Sequence, residues 1–211
     1  MMLKEVAIEN FTDMPKAINA GARRIELNDN LAVGGTTVSK GVLAEATRYA
    51  HEHQVSVVAM IRPRGGDFVY NDLELKMMEA DLFEAQAQGV DGVAFGALTA
   101  DNWLDEEALE NLIGASAGMD IVFHMAFDSI PQSRQAEAIT WLAEHGVSRI
   151  LTHGGPLTTP IQETLGQLKT LVEAAGDQIT ILPGGGITAE NVDEIGAQLG
   201  VNEAHGTKIL G

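Results

Sequence analysis

The stretch AGARRIEL at residues 20–27 decides the fold. A helix that runs into Gly21 stops there, because glycine enters the left-handed region that closes a helix without a side-chain penalty. Three residues later, RIEL reads as the start of a strand. The same grammar returns in QGVDGVAF at residues 88–95, HGVSRILT at 145–152 and LGVNEAHG at 199–206, with Gly89, Gly146 and Gly200 in the same place. Each is a helix-to-strand turn. Working outward, EVAIE at 5–9, VSVVAMI at 55–61, DIVFHMAF at 120–127 and QITILPG at 178–184 are apolar and rich in β-branched side chains, and supply the strands between those turns. Segments of helical period, such as LELKMMEADLFEAQAQ at 73–88 and SRQAEAITWLAEH at 133–145, separate the strands.

Strands that alternate with helices run parallel, in an open doubly wound sheet or a closed barrel. The two differ in what the strand faces must be. An open parallel sheet is covered on both faces and reads apolar on both. Here one parity is polar: Glu5 and Glu9, then Arg24, Glu26 and Asn28, then Arg62, then His124 and Asp128. The other parity, Val6, Ile8, Ile25, Leu27, Ile61, Phe123 and Phe127, suits a layer of helices. Polar side chains near strand tips fit the mouth of a barrel, so the expectation is one (β/α)8 TIM-barrel domain over residues 1–211. The sequence ends just after the eighth strand, so the final outer helix is expected to be short or missing. The apolar surface left between the first and seventh helices points to a homo-oligomer, a dimer or a tetramer.

Composition bounds the partners. With 211 residues and 45% apolar content the chain builds one sizeable core. There is no run of about 18 apolar residues and no basic, apolar leader, so a cytoplasmic protein is expected. Thirty acidic against 13 basic side chains give a formal charge of -17, which repels nucleic-acid phosphates and anionic membranes. The absence of cysteine removes disulfides and thiolate ligands, so a metal must be held by His, Met or carboxylate.

Function is expected in the loops that follow the strands. MIRPRGGDFVY at 60–70 opens one such loop with two arginines, and Arg62 either pairs with Glu26 or Glu5 inside the barrel or joins Arg64 in gripping a carboxylate or phosphate. FHMAFD at 123–128 sets His124 near Asp128, an acid–base pair or a pair of metal ligands. LTHGGP at 151–156 and EAHGTK at 203–208 place His153 and His205 beside glycines. PGGGIT at 183–188 offers backbone amides to an anion, as glycine-rich ends of strands seven and eight do in many barrels. The candidate catalytic residues are Glu26, Arg62, His124 and Asp128. Those for a small anionic ligand are Arg64, Gly184, Gly185, Gly186, His205 and Gly206, and those for a metal are Glu5 and His124. His51, His53 and His145 read as surface residues, Met77 and Met78 as core filler, and Met60 as the methionine nearest the site.

Taken in order, RIEL at 24–27, MIRPRGGDFVY at 60–70, GVAFGALT at 92–99, FHMAFD at 123–128, RILT at 149–152 and PGGGIT at 183–188 resemble the CutC family, described as copper homeostasis proteins. The resemblance spans nearly the whole chain. It implies a cytoplasmic, often self-associating TIM barrel concerned with copper, and brings no settled catalytic activity. It also implies a copper(I) site built on two cysteines, at positions held here by Ala7 and Asn28. Cu(I) is soft and selects thiolate or thioether, which neither a methyl group nor an amide replaces. Met125 also stands where the family carries arginine. What remains is a His and Met pair such as His124 with Met60, or another divalent metal on harder ligands. Two functions follow: a copper homeostasis protein binding a metal ion or small anion at the C-terminal mouth, or a TIM-barrel enzyme. The enzyme would apply Glu/His/Arg acid–base or divalent-metal chemistry to a small phosphorylated or carboxylated metabolite.

Overall fold

The computed structural model describes residues 2–211. Eight strands, β1 (Leu3–Glu9), β2 (Arg24–Asn28), β3 (Ser56–Met60), β4 (Gly92–Phe95), β5 (Asp120–Phe123), β6 (Arg149–Thr152), β7 (Thr180–Pro183) and β8 (Glu203–Gly206), alternate with seven helices. The helices are α1 (Met14–Asn19), α2 (Lys40–Glu52), α3 (Asp72–Gln88), α4 (Glu106–Ala115), α5 (Gln132–Glu144), α6 (Ile161–Ala175) and α7 (Val192–Leu199). Strands pair in parallel in the order β7-β6-β5-β4-β3-β2-β1-β8. The seam between β7 and β8 is bridged above the strands, where the Ala189 amide donates to the Lys208 carbonyl at 3.0 Å. This is a nearly closed (β/α)8 barrel.

The four repeated turns are what the sequence predicts. Gly21, Gly89, Gly146 and Gly200 have φ of +96°, +73°, +82° and +70°, the left-handed region. Val6, Ile8, Ile25, Leu27, Ile61, Phe123 and Phe127 are all buried in the layer between sheet and helices. One boundary differs from the reading of DIVFHMAF as continuous strand. β5 stops at Phe123, and residues 125–129 form a 3-10 turn, because His124 Nδ1 accepts the Ala126 amide at 3.2 Å and redirects the chain. Of the two methionines read as core filler, Met78 is fully buried, whereas Met77 is 55% exposed and is not core filler.

The barrel interior is divided. One side is apolar, with Val58, Met60, Ala94, Val122, Leu151 and Leu182 packed together. From the exposed Asp120, at the amino end of β5, a chain of alternating charge runs inward: Asp120 with Arg149, Arg149 with Glu203, Glu203 with Arg24, Arg24 with Glu5, Glu5 with His205. Strand register brings the centre of this chain together, since Glu5 lies opposite Arg24 in the β1–β2 ladder and opposite His205 in the β1–β8 ladder. Outside the barrel, a groove of about 510 Å³ runs beside β1 and α1, lined by Val6, Ile8, Ala17 and Leu210 among others. Among the described residues, no helix is long and apolar enough to cross a membrane.

Candidate functional site

At the carboxyl ends of the strands a cavity of about 840 Å³ opens to solvent. Glu26, Arg62, His124, Asp128, Gly185, Gly186, His205 and Gly206 all line it, so strand tips far apart in sequence converge on one opening. Glu5 sits immediately beneath, against His205. Gly184 and Arg64 are not in the wall.

The floor on the β1–β2–β8 side is an acid–imidazole cluster. His205 Nδ1 donates to Glu5 Oε1 at 2.7 Å, and Arg24 Nε donates to the other Glu5 oxygen. Burial works to raise the pKa of Glu5, but the hydrogen bond and charge of His205, together with Arg24, outweigh it and hold the carboxyl at about 2. Burial opposes the charge of His205 too, yet the carboxylates of Glu26 and Glu5 keep its pKa above the ordinary value. Glu26 goes the other way: burial pushes its pKa up, partly offset by His205. Asn28 Nδ2 donates to Glu26 Oε2 at 2.9 Å, while Glu26 Oε1 is buried without any partner. His205 Nε2 and Glu26 Oε2 stand 3.8 Å apart, too far for a hydrogen bond. Glu5, Glu26 and His205 each bring a ligand atom to within 4.8 Å of the others.

This grouping differs from the metal pair read from sequence. Glu5 stands with Glu26 and His205, both assigned other roles, and His124 is not of the group. His124 lies under Phe68, with ring centres 5.0 Å apart. Burial first, and the Arg62 charge second, drive its pKa down to about 3, so the ring is neutral at physiological pH. Because Nδ1 accepts the Ala126 amide, the ring hydrogen sits on Nε2, and that Nε2–H is buried without a partner. A metal on Nε2 would have to displace this hydrogen, so the His124 and Met60 pair does not fit either.

Arg62 pairs with neither Glu26 nor Glu5. Its Nη1 donates to the carbonyls of Val33 at 2.7 Å and Gly35 at 3.1 Å, and its Nη2 to that of Gly66 at 2.8 Å. The guanidinium thus ties the loop after β2 to the loop after β3, because backbone carbonyls leaving those strands face it. The partner that the sequence reading assigned to Glu5 is Arg24 instead. Arg64 is ion-paired to Glu74 and Asp67 away from the cavity, which removes it from the anion set.

Asp128 spends both oxygens on the loop after β6, accepting from Thr152 Oγ1 at 2.6 Å, the Gly154 amide at 3.0 Å and the His153 amide at 2.9 Å. It braces that loop, with its pKa raised by burial. Two of the three glycines have a packing cause, since a Cβ on Gly184 would lie 2.9 Å from Met125 Cε and one on Gly185 2.7 Å from His153 Nδ1, while Gly186 has room for a Cβ but a φ of +79°. His153 contacts the Gly184 and Gly185 carbonyls at 3.0 Å and the Thr159 carbonyl at 2.9 Å, joining the loops after β6 and β7. The sequence reading missed Phe68, Met125 and Lys208 in the cavity wall. Phe68 lies in the MIRPRGGDF run, whose arginines drew the attention.

The CutC family model matches residues 2–210. A family protein CutC of Enterococcus faecalis is 57% identical over 209 residues, covering 99% of this chain and all of that one. The copper homeostasis protein cutC homolog of Homo sapiens is 39% identical over 203 residues, covering 96% of this chain and 72% of the human protein. A crystal structure described as a copper homeostasis protein CutC from Streptococcus agalactiae superposes with a TM-score of 0.96 at 50% identity, covering 99% of this chain and all of that one. By sequence from end to end of the match and by the barrel it folds into, this chain belongs to the CutC family.

Proposed function

We propose that this chain serves copper homeostasis, the role its relatives are named for, by taking a divalent copper ion between Glu26 and His205 at the floor of the barrel mouth. The observation that carries the reading is the buried, unpartnered acceptor Glu26 Oε1, together with His205 Nε2, which makes no hydrogen bond and stands 3.8 Å from Glu26 Oε2. That gap is about the span of two metal–ligand bonds near 2 Å. Cu(I) does not fit this donor set, because Ala7 and Asn28 supply no sulfur. A divalent ion does fit, since imidazole and carboxylate suit Cu(II). Glu5, accepting from His205 Nδ1, would orient the ring as a carboxylate behind a ligating histidine does. The ion would replace the proton that His205 carries between its two carboxylates, so binding would release about one proton. The cytoplasm as the site of action is supported only by the composition. Self-association is supported by the apolar groove beside β1 and by the exposed Leu73 and Met77 on α3.

The test is a Cu(II) titration of metal-free protein followed by calorimetry and electron paramagnetic resonance. One ion per chain is expected, with nitrogen and oxygen ligation, and affinity at least about tenfold weaker in Glu26→Gln and His205→Gln. Equal binding by wild type and both variants would overturn the assignment.

A further inference from the structure

Arg62 is a buried cation without a counter-charge. The residue is 5% exposed, its terminal nitrogens donate to backbone carbonyls, and its Nε–H has no hydrogen bond, with only the neutral Tyr70 hydroxyl, itself unpartnered, beside the guanidinium. Arg24, the other arginine buried in the barrel, faces the carboxylates of Glu5 and Glu203. A buried charge left uncompensated is costly, and carbonyl dipoles satisfy its hydrogen bonds without cancelling its charge. Beside it stands His124, whose Nε2–H is the second unpartnered buried donor of the same cavity wall. One aromatic ring adjoins both: Phe68 has the Arg62 Cζ 4.9 Å and the His124 ring 5.0 Å from its centre, and it also lines the cavity.

We infer that the mouth binds a small organic monoanion by its carboxylate, which accepts from Arg62 Nε–H and His124 Nε2–H once the Phe68 ring swings aside. One negative charge matches one guanidinium next to a neutral imidazole. A phosphate dianion would bring a second charge with no cation to meet it at this end. Two acceptor oxygens match the two free donors. The remainder of the ligand lies over Met60 and Leu151, an apolar surface that accommodates a short carbon chain. The Phe68 backbone is fixed, since its carbonyl accepts the Leu98 amide at 2.9 Å, so the movement is a side-chain rotation. This site is independent of the copper proposal, because none of its donors belongs to the Glu5, Glu26 and His205 group.

The experiment uses the full-length protein in the presence of a chelator, titrated separately with acetate, glycolate, pyruvate and inorganic phosphate, by calorimetry and thermal shift. At least one monocarboxylate is expected to bind one per chain and to raise the melting temperature. His124→Ala should weaken it about tenfold or more, as expected for losing a hydrogen bond to a charged group. Phe68→Ala should retain binding and speed association. If His124→Ala does not fold, the wild type carries the test: the Arg62 Nε–H resonance in arginine-labelled protein must move on titration. Absence of binding by all three carboxylates would overturn the inference. So would preference for phosphate, binding that appears only after copper is added, or an unmoved Arg62 signal. Loss of copper binding with carboxylate binding intact would sink only the metal reading.

Discussion

Replacing Glu5 by Gln tests the internal charge chain, and its cost can be worked from the structure. The carboxylate is 1% exposed and accepts from both Arg24 and His205. Its pKa of about 2 in the folded chain, against 4.5 for the free side chain, spans about 2.5 pH units. At about 1.4 kcal/mol per pH unit this is worth about 3 kcal/mol at neutral pH. The amide keeps the volume and removes the charge, leaving Arg24 with Glu203 alone. A domain of this size loses about 2–4 °C of melting temperature per kcal/mol, so Glu5→Gln should melt about 6–12 °C below wild type at pH 7. Because the folded pKa is depressed, the contribution is complete above pH 4.5 and is lost as the pH falls towards 2. Urea unfolding of both proteins from pH 7 down to pH 3.5 should show the gap narrowing below pH 4.5. A gap under about 1 kcal/mol at pH 7, or one that ignores pH, would refute the reasoning.

Three further outcomes follow from particular contacts. His124 titrates near 3 in the folded chain and near 6.5 when unfolded, so between those values wild type should lose about 1.4 kcal/mol of stability per unit fall in pH; His124→Leu should lack that component, as urea titrations at pH 6.5 and 5 can check. Arg62→Met removes three bonds to the carbonyls of Val33, Gly35 and Gly66, so amide exchange in residues 31–37 and 64–69 should accelerate while the rest of the barrel stays protected. Gly206→Ala places a Cβ 2.5 Å from the Ile187 carbonyl oxygen, a backbone atom that cannot rotate away, and should cost about 1–3 kcal/mol in chemical denaturation.

The fold was legible because its signals are local. Four left-handed glycines before short strands, and polar residues confined to one strand parity, report the alternation and the barrel closure without knowledge of distant contacts. The convergence at the mouth followed from that parity. Partner choice did not, because it depends on register around the barrel. The sequence predicts that β8 closes onto β1 but not in which register, and it is that register which sets His205 against Glu5 and gives the cluster its third member. Arg24 and Arg62 share a parity, but one lies deep among carboxylates and the other rises to the loop carbonyls, a difference of height along the barrel axis that periodicity does not carry. His124 reads as a ligand by type. Only the Ala126 amide on Nδ1, a consequence of β5 ending at Phe123, turns it into a donor.

The claim that the mouth of this barrel holds a divalent ion is tested most directly by anomalous diffraction at the copper edge from crystals soaked in Cu(II). The account predicts one strong peak per chain about 2.0–2.2 Å from His205 Nε2 and from a Glu26 carboxylate oxygen. Copper found only on surface histidines such as His51 and His53, with the Glu26 and His205 side chains unmoved and unligated, would contradict it.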